Sequence, residues 1–190
     1  ITMKKIYYGK AVYDQKEIKA VLNVLKNHSL TLIDGPHVKK LERTVASIFG
    51  KKYGLMVNSG SSANLLGLSS FNFKKGSEII TPSLTFATTV APIYQLGLVP
   101  HFIGVEENKF LADPKQIEKS INKKTVAIMI PNLLGNIADW VKIKKIADKH
   151  NLKIIEDSAD TIGYTLNKKN SGKLSDIVTN SFYASHIING

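Results

Sequence analysis

Residues Leu152 to Asp160 read L-K-I-I-E-D-S-A-D. An apolar run of this kind suits a strand buried on both faces, and it ends in two adjacent carboxylates. Few folds accommodate that. In an open, mostly parallel α/β sheet, ligands sit outside the carboxyl ends of the strands, and a side chain placed there can be both buried and useful. A carboxylate on an apolar base is costly unless something cationic meets it. Asp157 is therefore a candidate anchor for a positively charged ring nitrogen. The plainer alternative is that it caps the next turn, as Asp-Ser often does.

The rest of the chain fits a sheet of this type. Apolar runs read as strands at 54–57, 78–81, 98–105, 126–130, 152–156 and 177–183. Helical stretches lie between the earlier ones at 62–73, 88–96, 114–121 and 139–150, with Asp113 and Asp139 as N-caps for the last two. Strand–helix alternation predicts a mostly parallel sheet with crossover helices. Upstream, Asp14 to Glu17 reads as a capping box, and Ile18, Val21, Leu22 and Leu25 recur at helical spacing. A second amphipathic helix turns Val38, Leu41, Val45 and Ile48 inward and stops at Gly50. Residues 163–175, polar and rich in Lys, Asn and Gly, read as a loop or hairpin.

Composition removes several function classes. The 190 residues include no cysteine, so they can form no disulfide, thiolate metal site or iron–sulfur cluster. No stretch reads as a membrane span or a signal peptide, and the expected location is cytoplasmic. The net charge of +11 would suit nucleic acid, a membrane surface or a phosphorylated ligand. The lysines, however, come in scattered pairs such as Lys39-Lys40, Lys74-Lys75 and Lys144-Lys145, not in one stripe with interleaved aromatics. The charge reads as solvated surface, with a phosphate-bearing small ligand as its second meaning. Neither nucleic acid nor a membrane is expected as a partner.

Four further segments fall where strands end. Asn58-Ser59-Gly60-Ser61-Ser62 joins a strand to a helix with small residues, and free N–H groups at a helix start suit phosphate. It is neither a Walker loop nor a Rossmann fingerprint. Phe86, in P-S-L-T-F-A-T-T, either stacks on a flat ring or pins the following helix as a core aromatic. Asn132 and Asn136 bring amides to the same edge. His186 emerges from the last apolar run beside Ser181 and Ser185, and histidine suits proton transfer near neutral pH.

Taken in order, N-S-G-S-S-A-N-L, P-S-L-T-F-A-T-T, N-L-L-G-N, I-I-E-D-S-A-D-T-I-G and S-F-Y-A-S-H resemble the DegT-type sugar aminotransferases and dehydratases, which use pyridoxal phosphate. The resemblance runs from about Tyr8 to Gly190. It implies a three-layer α/β sandwich around a mostly parallel seven-stranded sheet, and a homodimer. It divides the chain into an N-terminal arm and helix (1–35) and a coenzyme-binding large domain (36–190), with a C-terminal small domain expected beyond Gly190.

The resemblance also assigns roles. Asp157 would meet the pyridine nitrogen, Gly60, Ser61 and Ser181 the phosphate, and Phe86 the ring face, with no metal required. Most of the family has a lysine where this chain has His186. Histidine there resembles the branch of sugar 3-dehydratases that act on nucleotide-linked 4-keto-6-deoxyhexoses, with pyridoxamine phosphate or pyridoxal phosphate held without a covalent link. The histidine then serves as acid and base, and the C3 hydroxyl is expelled. Asp160 stands where aminotransferases usually carry glutamine near the ring's 3-hydroxyl, and is expected to contact the coenzyme. A nucleotide-sugar aminotransferase is the alternative reading, and a non-catalytic ligand-sensing protein on the same fold is a third.

Overall fold

The computed structural model describes residues 5–166 and 168–188. Five strands form one parallel sheet: β1 (Glu78–Pro82), β2 (Val99–Ile103), β3 (Thr125–Pro131), β4 (Lys153–Asp157) and, after a two-stranded hairpin β5–β6 (Thr165–Leu166 with Lys169–Asn170), β7 (Ile177–Thr179). Their order across the sheet is β2-β1-β3-β4-β7. The chain winds outward from β1 to β2, then crosses back to β3 on the other side of β1. That reversal is a topological switch point, where the diverging loops leave a crevice.

Both faces of the sheet are covered, which explains the continuous apolar runs. Ile79, Met129 and Ile155 pack with Leu68 of α3 (Gly60–Ser69) and Ile93 of α4 (Ala87–Gln95). Their sequence neighbours Ile80, Ile128, Ile130 and Ile154 pack on the opposite side with Ile117 of α5 (Pro114–Ser120) and with Trp140, Ile143 and Ile146 of α6 (Trp140–His150). The result is the three-layer α/β sandwich expected from the sequence. Local chemistry sets the helix ends. Asp113 and Asp139 accept hydrogen bonds from the Lys115 and Lys142 N–H groups, and Asn151 closes α6 in the left-handed conformation at φ +54°.

The strand count differs from expectation: five strands pair in the main sheet among the described residues, not seven. Residues 54–57 join no ladder. Gly54 lies so close to α2 (Pro36–Ile48) that a Cβ there would sit 2.5 Å from the Glu42 carbonyl oxygen, and the Met56 N–H donates to Glu42 Oε1 at 2.8 Å. An apolar-walled cleft of about 420 Å³ separates this segment from β7. The run expected at 177–183 ends as a strand at Thr179. The Asn180 side chain then donates to the Ser158 and Thr161 carbonyls and turns the chain across the sheet end.

Helix α1 (Gln15–Asn27) forms with its capping box, Asp14 N–H to Glu17 Oε2 at 2.7 Å and Lys16 N–H to Asp14 Oδ1 at 2.6 Å. Its apolar stripe is real but buries nothing among the described residues: Val21 is 59% and Leu25 54% exposed. In α2, Val38, Val45 and Ile48 are half-buried while Leu41 is exposed. Surface lysines pair singly with acids, as in Lys39–Asp34 and Lys142–Asp139, and exposed pairs of this kind add little to stability. No described helix is long and apolar enough to cross a membrane.

Candidate active site

The crevice at the switch point is a cleft of about 1180 Å³ floored by the ends of β3, β4 and β7. Its lining includes Gly60, Ser61, Phe86, Asp157, Asp160, Ser181 and His186, so the structure brings every candidate site residue into one space. No lysine lines the cleft among the described residues. Lys173, in the loop that follows the β5–β6 hairpin, packs instead against Gly50 beyond the end of α2.

Asp157 is 6% exposed and occupies the base of the cleft. Its Oδ2 accepts from Asn64 Nδ2 and from Thr89 Oγ1, both at 2.9 Å, and its Oδ1 from the Ala159 N–H at 3.2 Å. Two carboxylate oxygens offer about four acceptor positions. Three are filled by neutral donors, and Oδ1 retains room for one more. Neutral donors orient a buried carboxylate without matching its charge, and no basic side chain pairs with it among the described residues. The site fits a cationic N–H donor such as a protonated ring nitrogen.

Sequence inspection noted the segments that hold Asn64 and Thr89 but assigned neither residue a role. Asn64 follows Gly60 by one helical turn, which places it on the inner side of α3. There its Oδ1 also accepts from Thr179 Oγ1 at 2.6 Å. Both residues are buried polar groups on helices, a property that only the fold reveals.

At the α3 N-terminus, the Ser59 hydroxyl accepts from the Ser62 N–H at 3.1 Å. The Gly60 and Ser61 N–H groups have no acceptor among the described residues, so the positive end of the helix faces the cleft uncompensated. A Cβ at Gly60 would meet Ser181 Cβ at 2.9 Å and Oγ at 3.2 Å. Glycine thus lets the Ser181 hydroxyl lie against the helix start, an arrangement of donors that could hold an anion such as a phosphate. Phe86, the N-cap residue of α4, is 71% exposed and lines the cleft, so its ring is not in the core.

His186 sits in a turn after β7, with its N–H bonded to the Tyr183 carbonyl at 2.8 Å and its ring edge-on to the Tyr183 ring at 6.0 Å. Its Nε2 lies 3.7 Å from Asp160 Oδ1, while its Nδ1 is buried without a partner among the described residues.

Beneath the cleft, on the far face of β4, lies a polar hub. Glu156 is fully buried and receives Ser158 Oγ (2.8 Å), Tyr164 OH (2.7 Å) and Ser175 Oγ (3.1 Å). The Asn132 amide nitrogen lies 3.2 Å from the same carboxylate, and its Oδ1 accepts from the Ala138 N–H (3.1 Å) and Trp140 Nε1 (2.9 Å). Asn132 therefore ties the loop after β3 to both β4 and α6. Asn132→Ala leaves buried donors unsatisfied, and urea unfolding should show a loss of about 1–3 kcal/mol. A loss below 0.5 kcal/mol, roughly the effect of an unremarkable surface change, would contradict the tie.

A parallel α/β sheet with an acid at the end of one strand, free N–H groups at a helix start and an imidazole beyond the last strand is the architecture of an aminotransferase-type fold. The solved structure of E. coli GDP-4-keto-6-deoxy-D-mannose-3-dehydratase with bound hydrated PLP superposes with a TM-score of 0.87 at 34% identity, over 96% of this chain and 48% of that one. The chain belongs to the DegT/DnrJ/EryC1/StrS aminotransferase family, whose profile matches residues 12–189.

Among relatives, it is 35% identical over 184 residues to the GDP-4-keto-6-deoxy-D-mannose 3-dehydratase of Yersinia pseudotuberculosis, covering 93% of this chain and 46% of that protein. It is 37% identical over 186 residues to the dTDP-4-dehydro-2,6-dideoxy-D-glucose 3-dehydratase of Saccharopolyspora spinosa, covering 94% and 40%. The chain thus spans about half the length or less of the relatives it matches.

Proposed function

We propose that this chain is the coenzyme-binding part of a pyridoxamine phosphate- or pyridoxal phosphate-dependent 3-dehydratase acting on a nucleotide-linked 4-keto-6-deoxyhexose, in the synthesis of deoxysugars for lipopolysaccharide or a similar glycan. The observation that carries the reading is an imidazole, His186, in a cleft whose described lining holds no lysine. Without a primary amine to tether it, the coenzyme must be held by contacts alone. Asp157, itself held by Asn64 and Thr89, would meet its ring nitrogen, the α3 N-terminus with Ser181 its phosphate, and Phe86 its ring face. When bound, the coenzyme supplies an electron sink next to the substrate ketone.

The chain's own residues do the remainder. Asp157 keeps the ring nitrogen protonated, because a buried carboxylate favours a cation beside it. His186 takes a proton in the first half of the reaction and returns one as the C3 hydroxyl leaves, which a single imidazole can do near neutral pH. The apolar stripe of α1, exposed among the described residues, supports a homodimer in solution, which sedimentation would reveal as twice the chain mass. We place the protein in the cytoplasm, where nucleotide-linked sugars are made.

Product analysis tests the reading. Incubated with pyridoxamine phosphate and a nucleotide-linked 4-keto-6-deoxyhexose, the protein should yield a sugar lacking its C3 oxygen. An amino sugar that keeps that oxygen would instead support the aminotransferase alternative, which the family's aminotransferase members favour.

A further inference from the structure

We infer that Asp160 is a positioning residue for His186, fixing its tautomer and ring orientation, and is not a contact of the coenzyme as the resemblance implied. The inference deepens the proposed function and rests on it. Each oxygen of the Asp160 carboxylate has its own neighbour. Oδ2 accepts the Leu134 N–H at 3.0 Å, and Oδ1 lies 3.7 Å from His186 Nε2. The first contact is built into the backbone. Leu134 holds the left-handed conformation (φ +55°, ψ +31°), which is strained for a non-glycine residue, and Gly135 follows at φ +80°. The loop that bears this strain starts at Asn132, whose side chain bonds to β4 and α6. A turn held in this way aims one N–H at Asp160 and leaves Oδ1 for the histidine.

The carboxylate selects the tautomer: Nε2 faces its oxygen, which favours a hydrogen there. Nδ1 is buried without a partner among the described residues in either tautomer, so it does not choose between them. The neutral ring therefore carries its hydrogen on Nε2 and its lone pair on Nδ1. At 3.7 Å the contact is longer than a hydrogen bond, as contacts between catalytic groups commonly are before a ligand closes the site. The alternative places Asp160 beside the ionised 3-hydroxyl of the coenzyme, where two anions would repel.

The test compares Asp160→Ala, Asp160→Asn and Asp160→Glu in the full chain. Imidazole ¹⁵N spectra without coenzyme, with His186 assigned by its loss in His186→Asn, should show the Nε2–H form in the wild type and a mixture in Asp160→Ala. The mixture should be smaller in Asp160→Asn, and Asp160→Glu should restore the wild-type form. With coenzyme and substrate, Asp160→Ala should lower kcat about 10–100-fold, the scale of losing a residue that orients a functional histidine. Coenzyme Kd should stay within about threefold, less than the 1.4 kcal/mol of a tenfold change. A His186 spectrum unchanged in Asp160→Ala would overturn the positioning role, as would a coenzyme Kd raised tenfold or more. If Asp160→Ala fails to fold, the isosteric Asp160→Asn decides by the same two readouts. Failure of the underlying reading looks different: the wild-type protein would form an amino sugar that keeps its C3 oxygen, while the Asp160 spectra would stand as expected.

Discussion

His186→Asn is expected to lower the rate of 3-deoxy sugar formation by about 10²–10⁴-fold, the range for removing a general acid–base. Coenzyme affinity should hardly change, because in the proposed arrangement Asp157, the α3 N-terminus, Ser181 and Phe86 would carry the binding, and none of them pairs with the imidazole. His186→Lys is the informative companion. A primary amine in that seat can attach pyridoxal phosphate covalently, so borohydride should label the variant at position 186 and leave the wild type unlabelled. Full turnover by His186→Asn, measured as loss of the C3 oxygen, would remove His186 from the chemistry. A borohydride-stable label on the wild type would end the case for a coenzyme held without a covalent link.

Asp157→Asn is expected to raise the coenzyme Kd by about 10²–10³-fold. Removing one partner of a buried ion pair typically costs about 3–5 kcal/mol, and each 1.4 kcal/mol is tenfold. The amide would also turn a donor toward Asn64 Nδ2, Thr89 Oγ1 or the Ala159 N–H, all of which now donate to the carboxylate. The coenzyme-free protein behaves differently. There relief of the buried charge and the new donor–donor contact oppose each other, so Tm should shift only slightly. A large loss of binding with a small change in stability would separate a ligand anchor from a structural cap. A coenzyme Kd within threefold of the wild type would return Asp157 to the role of a turn cap.

The fold was legible wherever the sheet is covered on both sides. Ile79-Ile80, Ile128-Met129 and Ile154-Ile155 each feed the two opposite cores, so consecutive apolar residues announced buried parallel strands. The segment 54–57 was equally apolar, yet pairing depends on a neighbouring strand, and local sequence carries no information about that neighbour. For the same reason the stripe on α1 predicted a helix correctly without revealing what, if anything, covers it.

The site divides along similar lines. Asp157 and His186 could be read because each ends an apolar run. Asn64 and Thr89 could not be assigned, because their role is defined by a carboxylate 93 and 68 residues away in the chain. Asn132 was noted as an amide at the sheet edge. Its function as a tie depends on Glu156, Ala138 and Trp140 converging on both ends of one side chain.

Glu156 and Asp157 are adjacent on β4 yet serve opposite layers, one feeding the hub under the sheet and the other the floor of the cleft. Because side chains alternate strictly along a strand, inserting or deleting a single residue ahead of this pair would exchange the two acids between layers. Each would then meet a neighbourhood shaped for the other, and folding and ligand capture would be lost together. Length in this strand is thus a heritable constraint separate from residue identity: homologous chains can vary the letters around it but not their number.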